Sequence, residues 1–532
     1  MPPPSKNSLG TTGLLLFAII SIAIAAYYRL PTLGERPMHT DEAILAMKSA
    51  EFQKTGHFQY DPKDFHGPGL HYLTKIWAGL AGWGESSAWT EARIRTVPVM
   101  CGLLLILITM LLRDALGKLG AGYAMLFMAV SPMMVYYSRY FIMEVPFVLF
   151  ITLAIAALWR WSQSGRSAWL LLAGFAIGFQ HATKETFVIN IAAALAGFGA
   201  AKLLVGEFAP RQSGFAISTS RGRSSKPWLW IVIAAIVTSV TLYSGFFKDW
   251  QAVKDSATTY LNYLERSGGS GHEKPWHYYL TLIFWRKDGV YWSEALIGGL
   301  ALVGMAHAFL GNHMKNASRQ AFLVFLSVYS VVLFAIYSFL AYKTPWSILS
   351  GQHALTLLAG VGAAAISQAI SGQIMRMAFR IAIGFGLYHL IAQTNLAIHR
   401  YAADSHNPYV YSHPSANLLG ILPLLRDLQK TAPDDNFDVL VINRDAGWPF
   451  PWYWRDIKTV HYTTAIPETI DARVIVAELD MQPALEAKFG DRAYVMQGPF
   501  GLLRPNVPIN LWVEKSLWER YKLHKDQEAT SR

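Results

Sequence analysis

Cysteine is all but missing from this chain: Cys101 stands alone, inside an apolar run. A single thiol excludes an intramolecular disulfide and any zinc site built on cysteines. Charge is scarce too. Asp, Glu, Lys and Arg make up 15% of the 532 residues, against 53% hydrophobic, where a soluble domain carries about 25% charge. No GxxxxGK(S/T) motif occurs, which argues against an ATP-driven pump. No internal repeat is visible, which weakens a transporter built from inverted repeats. The net charge of +11 does not point to nucleic acid, because the basic residues collect in loops between apolar runs. The class left standing is a polytopic α-helical membrane protein.

About eleven spans are expected, roughly 12–30, 95–112, 119–137, 145–161, 168–182, 186–205, 227–247, 294–311, 320–341, 346–370 and 380–397. The first run resembles a signal peptide, but Tyr27-Tyr28-Arg29-Leu30-Pro31 is a poor cleavage site, so it reads as a span. With Lys6 in the cytoplasm, every inner loop is basic. These loops hold Arg113 and Lys118; Arg160 and Arg166; Lys202, Arg211, Arg221, Arg223 and Lys226; Lys315 and Arg319; Arg376 and Arg380. That is the positive-inside pattern of a multi-pass plasma (inner) membrane protein with a cytoplasmic N-terminus. Residues 206–226, rich in Ser, Gly and Arg, read as a flexible cytoplasmic linker. The odd span count puts the segment after residue 397 outside. There Phe437–Asn443 and Ala472–Ala477 read as strands, alternating with helical stretches such as 415–431. The expected organisation is a membrane module over 1–397 and a small extracytoplasmic α/β domain over 398–532.

The unusual polar residues fall at the outer ends of spans. Asp41-Glu42 follows the first span, in the long loop 31–94. Thr40 reads as the N-cap of a short helix with both acids in its first turn, where the macrodipole favours their ionised form. The plain alternative is that they only cap a surface helix. Arg139, Glu144, Lys184, Glu185 and Lys343 share that depth. Snorkelling accounts for isolated charges at span ends, but the turn His181–Thr186 is too short for all its side chains to reach bulk water. Cations converging with carboxylates suit a phosphate or pyrophosphate and an acceptor hydroxyl. His57, His66 and His71, with the acidic pair, suit either a metal or turn packing and substrate hydrogen bonds. Their spacing matches no standard ligand pattern, so no metal ligand is assigned. In the tail, Trp448 and Trp452 belong to a dense aromatic stretch, Asp445–Asp456. It reads equally as a sugar-stacking platform or as a bilayer-interface anchor.

An Asp-Glu pair after the first span resembles the GT-C superfamily of membrane glycosyltransferases. The Arg139–Glu144 turn and the Thr-Lys-Glu of 183–185 are similar to the branch holding protein O-mannosyltransferases and the aminoarabinose transferase of lipid A. Met38–Ala43, Phe65–Pro68, Tyr342–Trp346 and Trp448–Tyr453 resemble a subgroup of archaea and bacteria, the flippase activity-associated proteins. The resemblance implies a GT-C-like fold and a polyprenyl-phosphate-linked sugar as donor. It also implies inverting transfer at the outer membrane–water boundary, to a protein, lipid or polysaccharide acceptor. It makes Asp41 the catalytic base, Glu42 its companion and Glu144 the second-loop acid. Arg139, Lys184 and Lys343 would hold the donor phosphate. His66, Glu185, Trp346, Trp448 and Trp452 are the remaining expected substrate contacts. The competing expectation is a non-catalytic carrier of polyprenyl-linked saccharides. It calls for polar residues in mid-span, and few are present (Gln180, His181, His353, Gln393). An ion-coupled transporter would need a midplane acid, and none is convincing.

Overall fold

The computed structural model describes residues 9–63, 66–205, 226–266, 271–311, 316–432 and 437–530. The expected linker 206–226 lies outside them except for Lys226, as do Lys6, Phe65 and Lys315. The apolar runs form helices because the bilayer core offers backbone groups no partner but themselves. Among the described residues, seven helices are long and apolar enough to cross a membrane: Thr11–Arg29, Glu91–Leu116, Glu144–Ser164, Phe187–Val205, Ala317–Phe339, Pro345–Ala369 and Gln373–Arg400. Three apolar helices, Ala168–His181, Pro227–Tyr243 and Ala295–Leu310, are shorter. Pro345–Ala369 is the central helix, with 94% of its most apolar stretch buried, against 28% for Thr11–Arg29. Small residues let backbones approach closely around it. A Cβ on Gly362 would stand 1.9 Å from the Leu300 carbonyl oxygen, the close packing membrane helices use in place of a hydrophobic drive.

One expected span is broken. The run 119–137 forms two helices, Lys118–Val130 and Pro132–Ser138, bent by 61°. Pro132 has no N–H to give, and its ring displaces the carbonyl four residues back. Ser131 caps the second piece by accepting from the Met134 N–H at 3.3 Å. The Glu294 carboxylate meets the same end. It accepts from Ser131 Oγ (2.5 Å), Met133 N–H (2.9 Å), Gln352 Nε2 (2.9 Å) and Tyr409 hydroxyl (2.9 Å). A polar break at this depth persists only with such internal partners.

At the end of the bundle that carries Asp41, the chain adds helices Thr40–Thr55 and Gly69–Leu80 and the hairpin β1 (Arg286–Asp288) and β2 (Val290–Trp292). The tail builds a five-stranded sheet from β3 (Val439–Ile442), β4 (Val460–Thr463), β5 (Val474–Glu478), β6 (Tyr494–Arg504) and β7 (Val507–Glu514), ordered β4-β3-β5-β7-β6. β3 runs parallel to β4 and β5, while β7 is antiparallel to β5 and β6. The strands expected around 437–443 and 472–477 are thus present and adjacent. Alternation divides their side chains between two faces. Val439, Val441, Val474 and Val476 join the core that runs on into the membrane helices. Ile442, Ile475 and Ala477 join a separate core with Trp512.

Candidate active site

The acidic pair opens the site. Its helix is capped by His39, not by Thr40 as the sequence suggests; Thr40 is the first helical residue. The imidazole Nδ1 of His39 accepts the Asp41 N–H at 3.0 Å, and the His39 N–H donates to Glu42 Oε2 at 3.1 Å. This is a capping box with an imidazole in the place of a hydroxyl. Successive helical residues point about 100° apart, so the two acids separate. The Glu42 side chain is 0% exposed and the Asp41 side chain 41%.

Glu42 is enclosed by donors. Arg95 Nε and Nη2 reach its two oxygens at 2.9 and 2.8 Å, Arg36 Nη2 reaches Oε1 at 3.0 Å, and the Phe141 N–H reaches Oε1 at 2.8 Å. Burial alone would raise its pKa. The Arg36 and Arg95 guanidiniums, with the hydrogen bonds from Arg95 and Phe141, outweigh burial and hold the carboxyl well below its usual range. Glu42 therefore ties the Asp41 helix to the Arg139–Phe141 turn. Arg36 and Arg95 were not singled out from sequence. Arg95 stands at the first residue of the expected span 95–112, where a charge reads as an ordinary boundary residue.

Arg139 lies against the same turn but turns away from it. Its guanidinium donates to the carbonyls of Tyr28, Arg29, Pro31 and Thr32 and to the Thr32 hydroxyl, at 2.7 to 3.3 Å. It fastens the end of the first span, and these donors are not aimed at a phosphate.

The remaining polar residues group beside Trp346. The Lys184 ammonium meets Glu144 Oε1 at 2.6 Å, both side chains being buried. With Thr186, Trp346 and Ser350 they surround a small void. Glu185 bonds His66. Burial would raise its pKa, but His66 lowers it below the usual range. Lys343 is buried, bonds the Leu340 carbonyl, and faces no carboxylate within ion-pair distance among the described residues. The Trp346 ring lies 5.8 Å from His39, 6.1 Å from Tyr140 and 5.6 Å from Tyr411. His413 closes this aromatic box at 5.8 Å from His39 and 6.2 Å from Tyr140. Tyr411 and His413 had no local motif to mark them, whereas Tyr140 lies within the Arg139–Glu144 turn.

The first-loop histidines diverge. His71 bonds Ser49 Oγ at 2.8 Å and stacks on Phe58, and burial pushes its pKa down to about 3. No group of three or more His, Cys, Asp or Glu suited to a metal occurs among the described residues. The tail aromatics correct both sequence readings. Trp452 and Trp454 are buried, and Phe450 stacks on Trp454 at 4.2 Å. Trp452 Nε1 donates to Glu91 Oε1 at 2.6 Å, and the Tyr453 hydroxyl accepts the Met38 N–H at 2.8 Å. Buried and packed, Trp452 and Trp454 present no open face to a sugar or to lipid. The stretch docks the tail onto the loop that carries Asp41, because large aromatic surfaces gain most by burial. Trp448 is half-buried beside it.

The helical bundle with its first loop and its sheet-bearing tail is a fold found in solved membrane proteins. The structure is similar to ArnT from Cupriavidus metallidurans bound to undecaprenyl phosphate, with a TM-score of 0.59 and 14% identity over 96% of this chain and 99% of that one. It is also similar to the archaeal oligosaccharyltransferase AglB from Archaeoglobus fulgidus in complex with an inhibitory peptide and a dolichol-phosphate. There the TM-score is 0.52, with 12% identity over 92% of this chain and 73% of that one. Residues 65–243 match the family model of dolichyl-phosphate-mannose-protein mannosyltransferases. By sequence, no curated protein matches the chain. The family match covers about a third of the chain, and the structural likeness shows a shared fold.

Proposed function

We propose that this protein transfers a sugar from a polyprenyl-phosphate carrier to an acceptor hydroxyl or amide at the aqueous end of the bundle, with inversion, and that Asp41 is the base. The observation that carries this reading is the contrast among the four acids of the site. Glu42 is bound by two arginines, Glu144 by Lys184 and Glu185 by His66. Asp41 is the partly exposed one, and its 3.8 Å neighbour His39 Nδ1 is occupied in accepting the Asp41 N–H. Asp41 Oδ atoms are therefore available for a proton.

In the reaction, the acceptor heteroatom bonds to the anomeric carbon as the bond from that carbon to the phosphate oxygen breaks. The acceptor proton passes to Asp41, and the lipid phosphate leaves with the electron pair. Cations ease that departure better than a strong acid would. Lys343 suits this role, since a buried ammonium without a carboxylate gains most from an arriving anion. Glu42 acts on the base through the helix they share, and Arg139 acts by holding the loop. Both are positioning residues.

The test compares wild type with Asp41→Asn in nanodiscs, using a panel of radiolabelled polyprenyl-phosphate sugars and membrane extract. Wild type should move label to an acceptor, and Asp41→Asn should be slower by roughly 10²–10⁴-fold, the usual worth of a general base. Transfer by Asp41→Asn at the wild-type rate would overturn the assignment. Equal donor binding by both proteins without product would favour a carrier.

A further inference from the structure

Between the first loop, the end of the last membrane helix and the tail lies a cavity of about 620 Å³, within the size range of small-molecule sites. It lies at the seam of the two parts of the chain. Arg36 and His413 line it from the buried side, while Ser405, Ala416, Asn417 and Asn506 are exposed at its mouth.

Its chemistry narrows the ligand. Arg36 is already paired with Glu42, Asp404 with His406, and Arg400 stands opposite Glu35 in the lining, so its charges are largely matched. No Phe, Tyr or Trp lines it, and its apolar wall of Pro37, Ile398, Leu502 and Pro505 suits the C–H faces of a sugar. The hydroxyls of Thr32, Ser405 and Ser415 and the amides of Asn417 and Asn506 both donate and accept. Groups of that kind match a ligand that does the same at every position, an uncharged saccharide. The cavity also backs onto the mount of Asp41. Arg36 bonds Glu42 at 3.0 Å, and the His413 ring lies 5.8 Å from His39, whose Nδ1 holds the Asp41 N–H. Arg36 and His413 thus link the cavity wall to the residues that hold the Asp41 helix.

We propose that this seam cavity binds a saccharide portion of the acceptor, an assignment that rests on the transferase reading above. It would hold a glycan whose reacting end passes around the His39–His413 wall to Asp41. The experiment uses full-length protein in nanodiscs and saturation-transfer NMR with free maltotriose, cellotriose and mannotriose. At least one trisaccharide should receive saturation from wild type and from Asp41→Asn. The signal should be lost in both Ala416→Trp and Ser405→Trp. These two exposed lining positions lie on separate stretches of the chain, and the thermal midpoints of the variants report whether the fold is kept. Absence of signal in wild type with all three sugars, or an undiminished signal in both filled variants, would overturn the proposal. Polyprenyl-phosphate sugar added in excess should leave the signal in place; its disappearance would assign the cavity to the donor instead and overturn the acceptor role. Because binding is read without turnover, a protein that fails to transfer would still answer the question of the cavity.

Discussion

Asp41 and Glu42 are neighbours in sequence with opposite fates, and charge alone does not tell them apart. Glu42 is enclosed by two guanidiniums, so Glu42→Gln leaves Arg36 and Arg95 buried without a counter-charge. Breaking one side of a buried pair costs about 3–5 kcal/mol, which thermal unfolding in detergent should show. The folded-state pKa of Glu42 is depressed. Its contribution is therefore fully present above the unfolded carboxylate pKa, about 4.3, and is lost as pH falls toward the folded value. The stability gap between wild type and Glu42→Gln should be constant near neutrality and narrow below about pH 4.3. A gap that stays constant down to pH 3 would contradict the ion-pair account. The sequence marks the pair as unusual, and the helical turn accounts for one acid facing inward. Which acid does so depends on Arg95, 53 residues away, and on the Phe141 N–H. No local pattern encodes either contact.

At the scale of elements, the broken helix at Ser131-Pro132 sets the direction of the segment that carries Tyr136, Tyr137, Arg139 and Tyr140 into the site. Glu294 holds that break from four sides. Glu294→Ala removes the acceptor from four donors, and a buried donor left unmet costs about 1–3 kcal/mol. A loss of about 3 kcal/mol or more is expected in chemical or thermal unfolding. A loss under about 1 kcal/mol would mean that water or a neighbour replaces the carboxylate. The apolar run 119–137 reads as one span because hydropathy sums over a window and is blind to a bend. Pro132 was visible within it, but Glu294, more than 150 residues on, was not part of the pattern. Apolar helices and tail strands were legible, since each rests on composition along a short stretch.

For the whole molecule, the tail is fastened to the loop that carries Asp41. Tyr453→Phe leaves the Met38 N–H without its acceptor, at a cost of about 1–3 kcal/mol, next to the helix of Asp41. Transfer by this variant should slow more than donor binding weakens, while insertion and folding persist. An unchanged transfer rate would show that the loop keeps its shape without the tail. The aromatic stretch that makes this contact was conspicuous in sequence. Burial, sugar stacking and bilayer anchoring call on the same residues, however, and only the partner decides among them. Glu91 and Met38 are those partners, each more than 350 residues distant.

The hydrogen bond between Tyr453 and Met38 has a consequence in time. A ribosome delivers Asp41 early and Tyr453 late, after every membrane helix has been made. Arg36, Arg95 and the Phe141 N–H can close on Glu42 early, but the Met38 end of the loop waits for its acceptor until Tyr453 has been made and folded. The loop bearing the base is therefore set in two stages, one within the membrane module and one from the tail.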